Sequence, residues 1–356
     1  MTQNQISTIS EFLLHAGTDY RVFDMGRGIR ALDTQQFLDW ELTKDLPAFP
    51  RAGHAWFGIV FWDKTRSDQQ YIWFVKLPLD EQGQIVTAAR NHYLQIIVDA
   101  LGSQLQNAEQ KNGQLPDNPY SFVPNQHQLA DFNSISRLTL QLGNSQFFAP
   151  AKNYIRTPMV IDWQTIALQG LADVVANIQS DDIAEVIAKQ FEHYPQTVQH
   201  ALLTSMENTV VPDVIMQSIS HWLLARPDNA QDWQHGLRAM SQVATHPYSI
   251  ELTSNALQLA LSSQPNTLAV ISGRLWSALL ESNAQGQQLL HPFLEKVAQV
   301  DSSFQFFQAV FSDLVRIPSM REAMLAQLRS TDKSQGLTQA VGSLFSQPQN
   351  QAAKSE

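Results

Sequence analysis

The sequence predicts an α+β head followed by an all-α body, and three observations predict it. From Ala55 to Trp62 both alternating sets of side chains are apolar: Ala55, Phe57, Ile59 and Phe61 on one side, Trp56, Val60 and Trp62 around Gly58 on the other. A strand apolar on both faces is covered on both faces. Tyr71 to Leu77 alternates Tyr71, Trp73, Val75 and Leu77 against Ile72, Phe74 and Lys76, which makes it a second strand, antiparallel to the first across the polar stretch Asp63 to Gln70. Beyond Leu129 the pattern changes to one helical stripe after another, punctuated by proline, asparagine or glycine.

Taken in order, the head opens with Thr8 and Glu11 at capping-box spacing, and Ile6, Ile9, Phe12, Leu13 and Ala16 follow at helical spacing until Gly17. Tyr20 to Met25 alternates as a strand, Gly26-Arg27-Gly28 supplies a tight connection, and Ile29 to Asp33 runs back as its partner. Asp33 or Thr34 caps a helix from Gln35 to Lys44, and Pro47 and Pro50 bracket an extended loop before the strand at Ala55. Pro78 cannot donate to a ladder, so the second long strand stops there, and Asp80 to Gly83 turns the chain into a helix from Gln84 to Leu101. The order helix, hairpin, helix, hairpin, helix predicts a four-stranded antiparallel sheet over residues 6–103.

Residues 104–127 hold three prolines and few core-forming side chains, and are expected to be a linker. Thirteen short helical stripes then fill 128–346, joined by connections of a few residues. They fit a solenoid-like stack of the HEAT or TPR kind, or else an irregular bundle. Trp222-Leu-Leu-Ala and Trp276-Ser-Ala-Leu-Leu look related, but no third copy follows. Residues 347–356 are too polar to pack and are expected to form a disordered tail.

Composition narrows the function. The chain has 356 residues, long for one core, which is why two domains are expected. A net charge of −10 and the absence of a basic run argue against a nucleic-acid surface, because neutralising phosphates takes clustered Lys and Arg. With no cysteine, disulfides, thiolate catalysis and thiolate-held metals are excluded. The N-terminus lacks the charge and apolar run of a signal peptide, and nowhere do about 18 apolar residues run together, so neither export nor a membrane span is expected and the location is taken as the cytoplasm.

One stretch, Gly26 to Ala31, formally satisfies G-x-G-x-x-A after a strand. A dinucleotide fold needs a helix next and a parallel strand ending in an acid about 20 residues on; here Asp45 is followed by a proline loop, so a hairpin turn is the better reading. The charged residues about the sheet, Asp24, Arg27, Arg30, Lys76, Asp80, Glu81 and Arg90, are the candidate ligand-binding set. Lys76 stands in an otherwise apolar strand, where an unpaired ammonium is costly. Structural ion pairs such as Lys76 with Asp24 or Arg90 with Glu81 would account for them, as would a small polar pocket walled by Trp56, Trp62 or Trp73. Of the ten histidines none is spaced for a metal, and His92 falls on the apolar stripe of its helix, where a hydrogen-bonded core role is expected. No nucleophile elbow, P-loop or EF-hand pattern occurs. In the body, Gly170 and Asp173 of Leu168-Gln-Gly-Leu-Ala-Asp-Val suggest close helix packing, with Asp173 accepting hydrogen bonds from a neighbouring helix end. The tryptophans Trp163, Trp222, Trp233 and Trp276 are expected between helices.

The segments RVFDMGRGIRALD, WFVKLPLDEQGQIVTAARNHYL and LQGLADVV resemble an uncharacterised bacterial family known as a domain of unknown function, over most of the chain. The resemblance implies a bacterial origin and brings no activity, cofactor or catalytic residue. The expected function is therefore non-catalytic: a cytosolic adaptor that binds a protein partner, with no cofactor, nucleic acid or membrane involved. The alternative is a small-molecule or nucleotide binding domain, enzymatic or not, centred on the sheet residues. A third possibility, a nucleic-acid binder with an α-β-β-α-β-β core of the homing-endonuclease type, has the topology for it and the charge against it.

Overall fold

The computed structural model describes residues 6–63, 65–106 and 115–345. The tail expected from 347 and the middle of the expected linker lie outside these residues. The head follows the predicted order: α1 (Ile9–His15), β1 (Thr18–Asp24), β2 (Arg30–Leu32), α2 (Thr34–Glu41), β3 (His54–Asp63), β4 (Arg66–Pro78) and α3 (Thr87–Gln106). The strands form one antiparallel sheet in the order β2-β1-β3-β4. The Thr8–Glu11 capping box opens α1, and Gly17 takes the left-handed conformation (φ +75°) that ends it. β4 begins at Arg66 rather than Tyr71, because the β3–β4 hairpin is tight and Trp62 pairs with Gln70 across it.

Both faces of β3 are covered, as its pattern requires. On one face Ala55, Phe57 and Ile59 join Val75 and Leu77 of β4 beneath Ile9 and Leu13 of α1, Phe37 and Trp40 of α2, and Tyr93, Leu94 and Ile97 of α3. The stripe of α3 is narrower than the sequence suggests: Val98 is exposed, and so is His92, which leaves the core and meets the Tyr120 hydroxyl instead (Nδ1, 3.1 Å). The opposite face, Phe23, Met25, Val60 and Phe74, is closed by Phe132 of the next helix, α4 (Gln126–Thr139), and by Phe122 before it. Phe132 meets Phe23 and Phe74 edge to face at 5.2 and 5.0 Å.

That second cover decides where the compact units divide. A sheet with two apolar faces needs a second layer, and α4 supplies it. The sheet-bearing unit therefore runs to Phe148, past the segment 104–127 where the sequence places a linker, and also takes in 168–176. Residues 120–122 lie along the outer edge of β4, where Lys76 N donates to Tyr120 O (2.7 Å) and Phe122 N to Phe74 O (3.2 Å), so part of the edge is shielded from strand pairing. Segment 168–176 is α6 (Leu168–Ala176), which packs on α4. Asp173 is buried there and accepts from Ser134 Oγ (2.6 Å), Gln169 Nε2 (3.1 Å) and the Ser145 amide (3.3 Å).

The second unit, 149–167 and 177–356, is built of helices, with one isolated bridge (Ser282 with Gln288) and no named strand among its described residues. It comprises α5 (Phe148–Arg156), α7 (Ile183–Gln190), α8 (Gln196–Met206), α9 (Asp213–Leu224), α10 (Ala230–Ala239), α11 (Pro247–Gln258), α12 (Pro265–Arg274), α13 (Leu290–Ala298), α14 (Gln305–Leu314), α15 (Pro318–Arg329) and α16 (Gln335–Ser343). Helices pack on the second helix along: α7 on α9, α9 on α11 and α11 on α13 in one row, α8 on α10, α10 on α12 and α12 on α14 in the other. Trp222 and Trp233 are buried between them, whereas Trp163 and Trp276 are half-buried. Trp222 meets Phe191 edge to face at 5.2 Å, and Trp233 donates its indole N–H to Arg226 O (3.0 Å).

Candidate functional site

Four of the seven charged residues singled out in the sequence gather at one end of the sheet. Asp24 closes β1, and the β1–β2 turn lies against the proline loop before β3. Gly26 makes that approach possible, since a Cβ there would fall 1.9 Å from Phe49 O. Arg27, only 1% exposed, donates its Nε to Pro50 O (2.8 Å). Arg30 lies over the Phe49 ring (4.2 Å to the centroid) and donates to Arg27 O (3.0 Å). The glycine pair thus serves an antiparallel hairpin, Asp24 opposite Arg30, in place of a phosphate loop.

Asp24 is fully buried. Its Oδ1 accepts from the Gly26 amide (2.9 Å), and its Oδ2 has no hydrogen-bond partner among the described residues. Burial pushes this carboxyl up to about 7, against the pull of Arg30, Arg27 and Arg51. Next to it Trp56 forms a half-buried platform. Arg51 stacks on the ring (4.1 Å) and its carbonyl accepts the indole N–H (2.9 Å); Lys76, the cross-strand partner of Trp56, brings its Nζ to 5.5 Å from the same centroid. Phe122 meets the indole edge to face at 4.9 Å.

The other three predicted residues are elsewhere. Asp80 holds its own turn, accepting from the Gln82 and Gln84 amides (both 2.9 Å), and Glu81 is exposed. Arg90 is buried and donates to the Glu41 carbonyl and to Asn91 Oδ1 (2.9 Å). The ion pairs expected for Lys76 and Arg90 are replaced by an aromatic ring and a backbone carbonyl. Glu41 is a buried carboxylate that the sequence reading passes over. It accepts from the Ile9 amide (2.6 Å) and from Ser10 N and Oγ (3.1 and 2.6 Å) at the start of α1, and burial pushes it up to about 7. The signal was present: Glu41 follows Phe37 by four residues and sits beside Trp40, so it shares their core-facing stripe.

The second unit has a polar seam of its own along α8, α10 and α12. Asp232 accepts from His200 Nε2 (2.8 Å) and Gln196 Nε2 (3.2 Å), and the His200 ring stacks on His235 at 4.1 Å. Lower on the seam Glu207 is buried and bridges two helices, Oε2 to Arg238 (3.0 Å) and Oε1 to Arg274 (2.6 Å). Removing one partner of a buried pair strands the other. Arg274 is well covered and Arg238 about one-third exposed, so Glu207→Gln is expected to cost about 2 to 3 kcal/mol, read as a lower urea midpoint. Arg274→Ala should cost more than Arg238→Ala.

Among the described residues, no group of three or more His, Asp or Glu could hold a metal, and no helix is long and apolar enough to cross a membrane. Residues 4–345 match the model of a family described as protein of unknown function, DUF3549. The chain belongs to that family. The DUF3549 match spans the sheet, α4 and the helical rows together, so both units are parts of one family architecture. No curated protein and no solved structure matches the chain.

Proposed function

We propose that this DUF3549 chain is a non-catalytic interaction protein, an adaptor of the bacterial cytosol, whose helical unit is a solenoid-like stack that holds a protein partner. The observation that carries the reading is the packing of each helix from α7 to α12 on the second helix along, which sets two rows side by side. Such rows offer long surfaces for extended partners. Along the α8–α10–α12 row half-buried polar side chains gather, among them His200, Thr204, Gln234, His235 and Arg238, a disposition that suits a recessed docking face better than a fully solvated one.

The test is purification of the full chain from cells that make it. A stoichiometric protein partner should accompany it and be lost when α10 carries Gln234→Glu and His235→Glu, with helical content unchanged. Repeated recovery of the chain alone, or a partner that tolerates both substitutions, would contradict the proposal.

A further inference from the structure

We propose that the outer edge of β4 at Gln70 and Ile72 is a docking site for an extended segment of a partner protein, added to the sheet as a further strand. The inference rests on the interaction reading above and gives the sheet unit a contact of its own with the partner.

The backbone is the first support. Lys76 N and Phe74 O point away from β3, to Tyr120 and Phe122. The β3–β4 register then runs without a shift as far as Gln70 opposite Trp62. Alternate residues of such a strand point the same way, so the amides and carbonyls of Ile72 and Gln70 also face outward. Among the described residues nothing bonds to them on that side. The segment 120–122 cannot be extended to meet them. Ser121 is opposite Val75, which would bring residue 124 opposite Ile72; that residue is a proline, without an N–H, and Asn125 already caps α4.

The side chains are the second support. Tyr71 and Ile72 lie on opposite faces and are 48% and 40% exposed, and residues 69–73 hold neither the lysine nor the proline that commonly blocks an edge. The Tyr71 ring stacks on Phe61 (5.5 Å), and beside it a recess of about 170 Å³ opens between Thr18, Phe61, Asp63, Gln69 and Tyr71, room for one apolar side chain. An incoming strand therefore carries two adjacent β-branched or aromatic residues, one for Tyr71 and one for Ile72. Continuity is the third support. The same edge already takes an extended segment of this type from within the chain, with Phe122 against Phe74 (5.6 Å).

The experiment selects a displayed library of random heptapeptides on the full-length protein, then measures the best peptide, labelled with fluorescein, by anisotropy. Selection is expected to enrich two adjacent β-branched or aromatic residues. The amide nitrogens of that peptide are then methylated in two alternate sets, of which only one faces the edge in an added strand. One set should weaken binding at least about tenfold and the other should leave it unchanged. Ile72→Pro removes an N–H that the β3 ladder does not use and should weaken binding by a similar factor; Ile72→Thr keeps that N–H and should weaken it less. No enrichment, equal effects of the two methylated sets, or full affinity in Ile72→Pro overturns the proposal. So does a mass that doubles with concentration and reverts in Ile72→Pro, which marks a second copy of the chain as the occupant. If Ile72→Pro alters the far-ultraviolet dichroism, Gln70→Pro, which removes the other outward N–H, decides. The α10 substitutions should leave peptide binding unchanged, so failure here and failure of the helical docking face are separable.

Discussion

Gly58→Ala is expected to destabilise the sheet unit by about 2 kcal/mol, in the range of core overpacking. A Cβ at this position would lie 2.2 Å from Phe132 Cε2, 2.8 Å from its Cζ and 3.0 Å from Met25 Sδ. The ring cannot step aside, because Phe23 and Phe74 hold it edge to face. Phe132 is itself fully buried, so Phe132→Ala should cost about 3 to 5 kcal/mol. The double variant is the sharper measurement. With the ring gone the new methyl has room, and the two losses should fall short of additive by more than about 1 kcal/mol. Strict additivity in urea denaturation would mean that α4 does not close this face of the sheet.

The second large effect is on pH. Asp24 and Glu41 both bind their protons more tightly in the folded chain, near pH 7, than their ordinary values of 3.8 and 4.5 allow in the unfolded chain. For groups raised in this direction the stabilisation is complete below the unfolded value and is lost as pH rises through the folded one. Stability of the sheet unit should therefore fall between about pH 4 and pH 8, by an amount on the order of 4 kcal/mol for Asp24 alone. Glu11 is lowered, by the Ser7 amide first, and acts with the opposite sign. Its stabilisation is lost as pH falls below its ordinary range, and it is exposed enough for the effect to be small. Asp24→Asn keeps an oxygen for the Gly26 amide and removes the charge. Its urea midpoint should fall less from pH 5 to pH 8 than that of the native chain, the remaining decline being the share of Glu41. Glu41→Gln flattens the profile too but loses stability at every pH, since one amide oxygen cannot accept all three bonds from Ile9 and Ser10.

Much of the architecture is legible in the chain because its signals are local. Two-faced apolarity in β3, Pro78 as a stop and the Thr8–Glu11 box act over a few residues, and each appears where the pattern puts it. The extent of the sheet unit is not local. That Phe132, some seventy residues after Gly58, fills the gap left by a missing Cβ follows from tertiary packing alone. The helical stripe of α4 reads like those that follow it, and nothing in its period says that it belongs with the strands. The charged set divides for the same reason. Asp24, Arg27 and Arg30 lie within one hairpin and stay together, and Lys76 joins them through its register opposite Trp56. Arg90 is drawn away by the Glu41 carbonyl, a partner forty-nine residues distant. Arg51 lies in a proline loop and shows no periodicity that would mark it.

The proposed docking on a helical row is tested most directly by hydrogen–deuterium exchange of the full chain with and without any protein that co-purifies with it. The prediction is slowed exchange in α8, α10 and α12, with the amides of β1 and β3 unchanged. Protection absent from all three of those helices would contradict it.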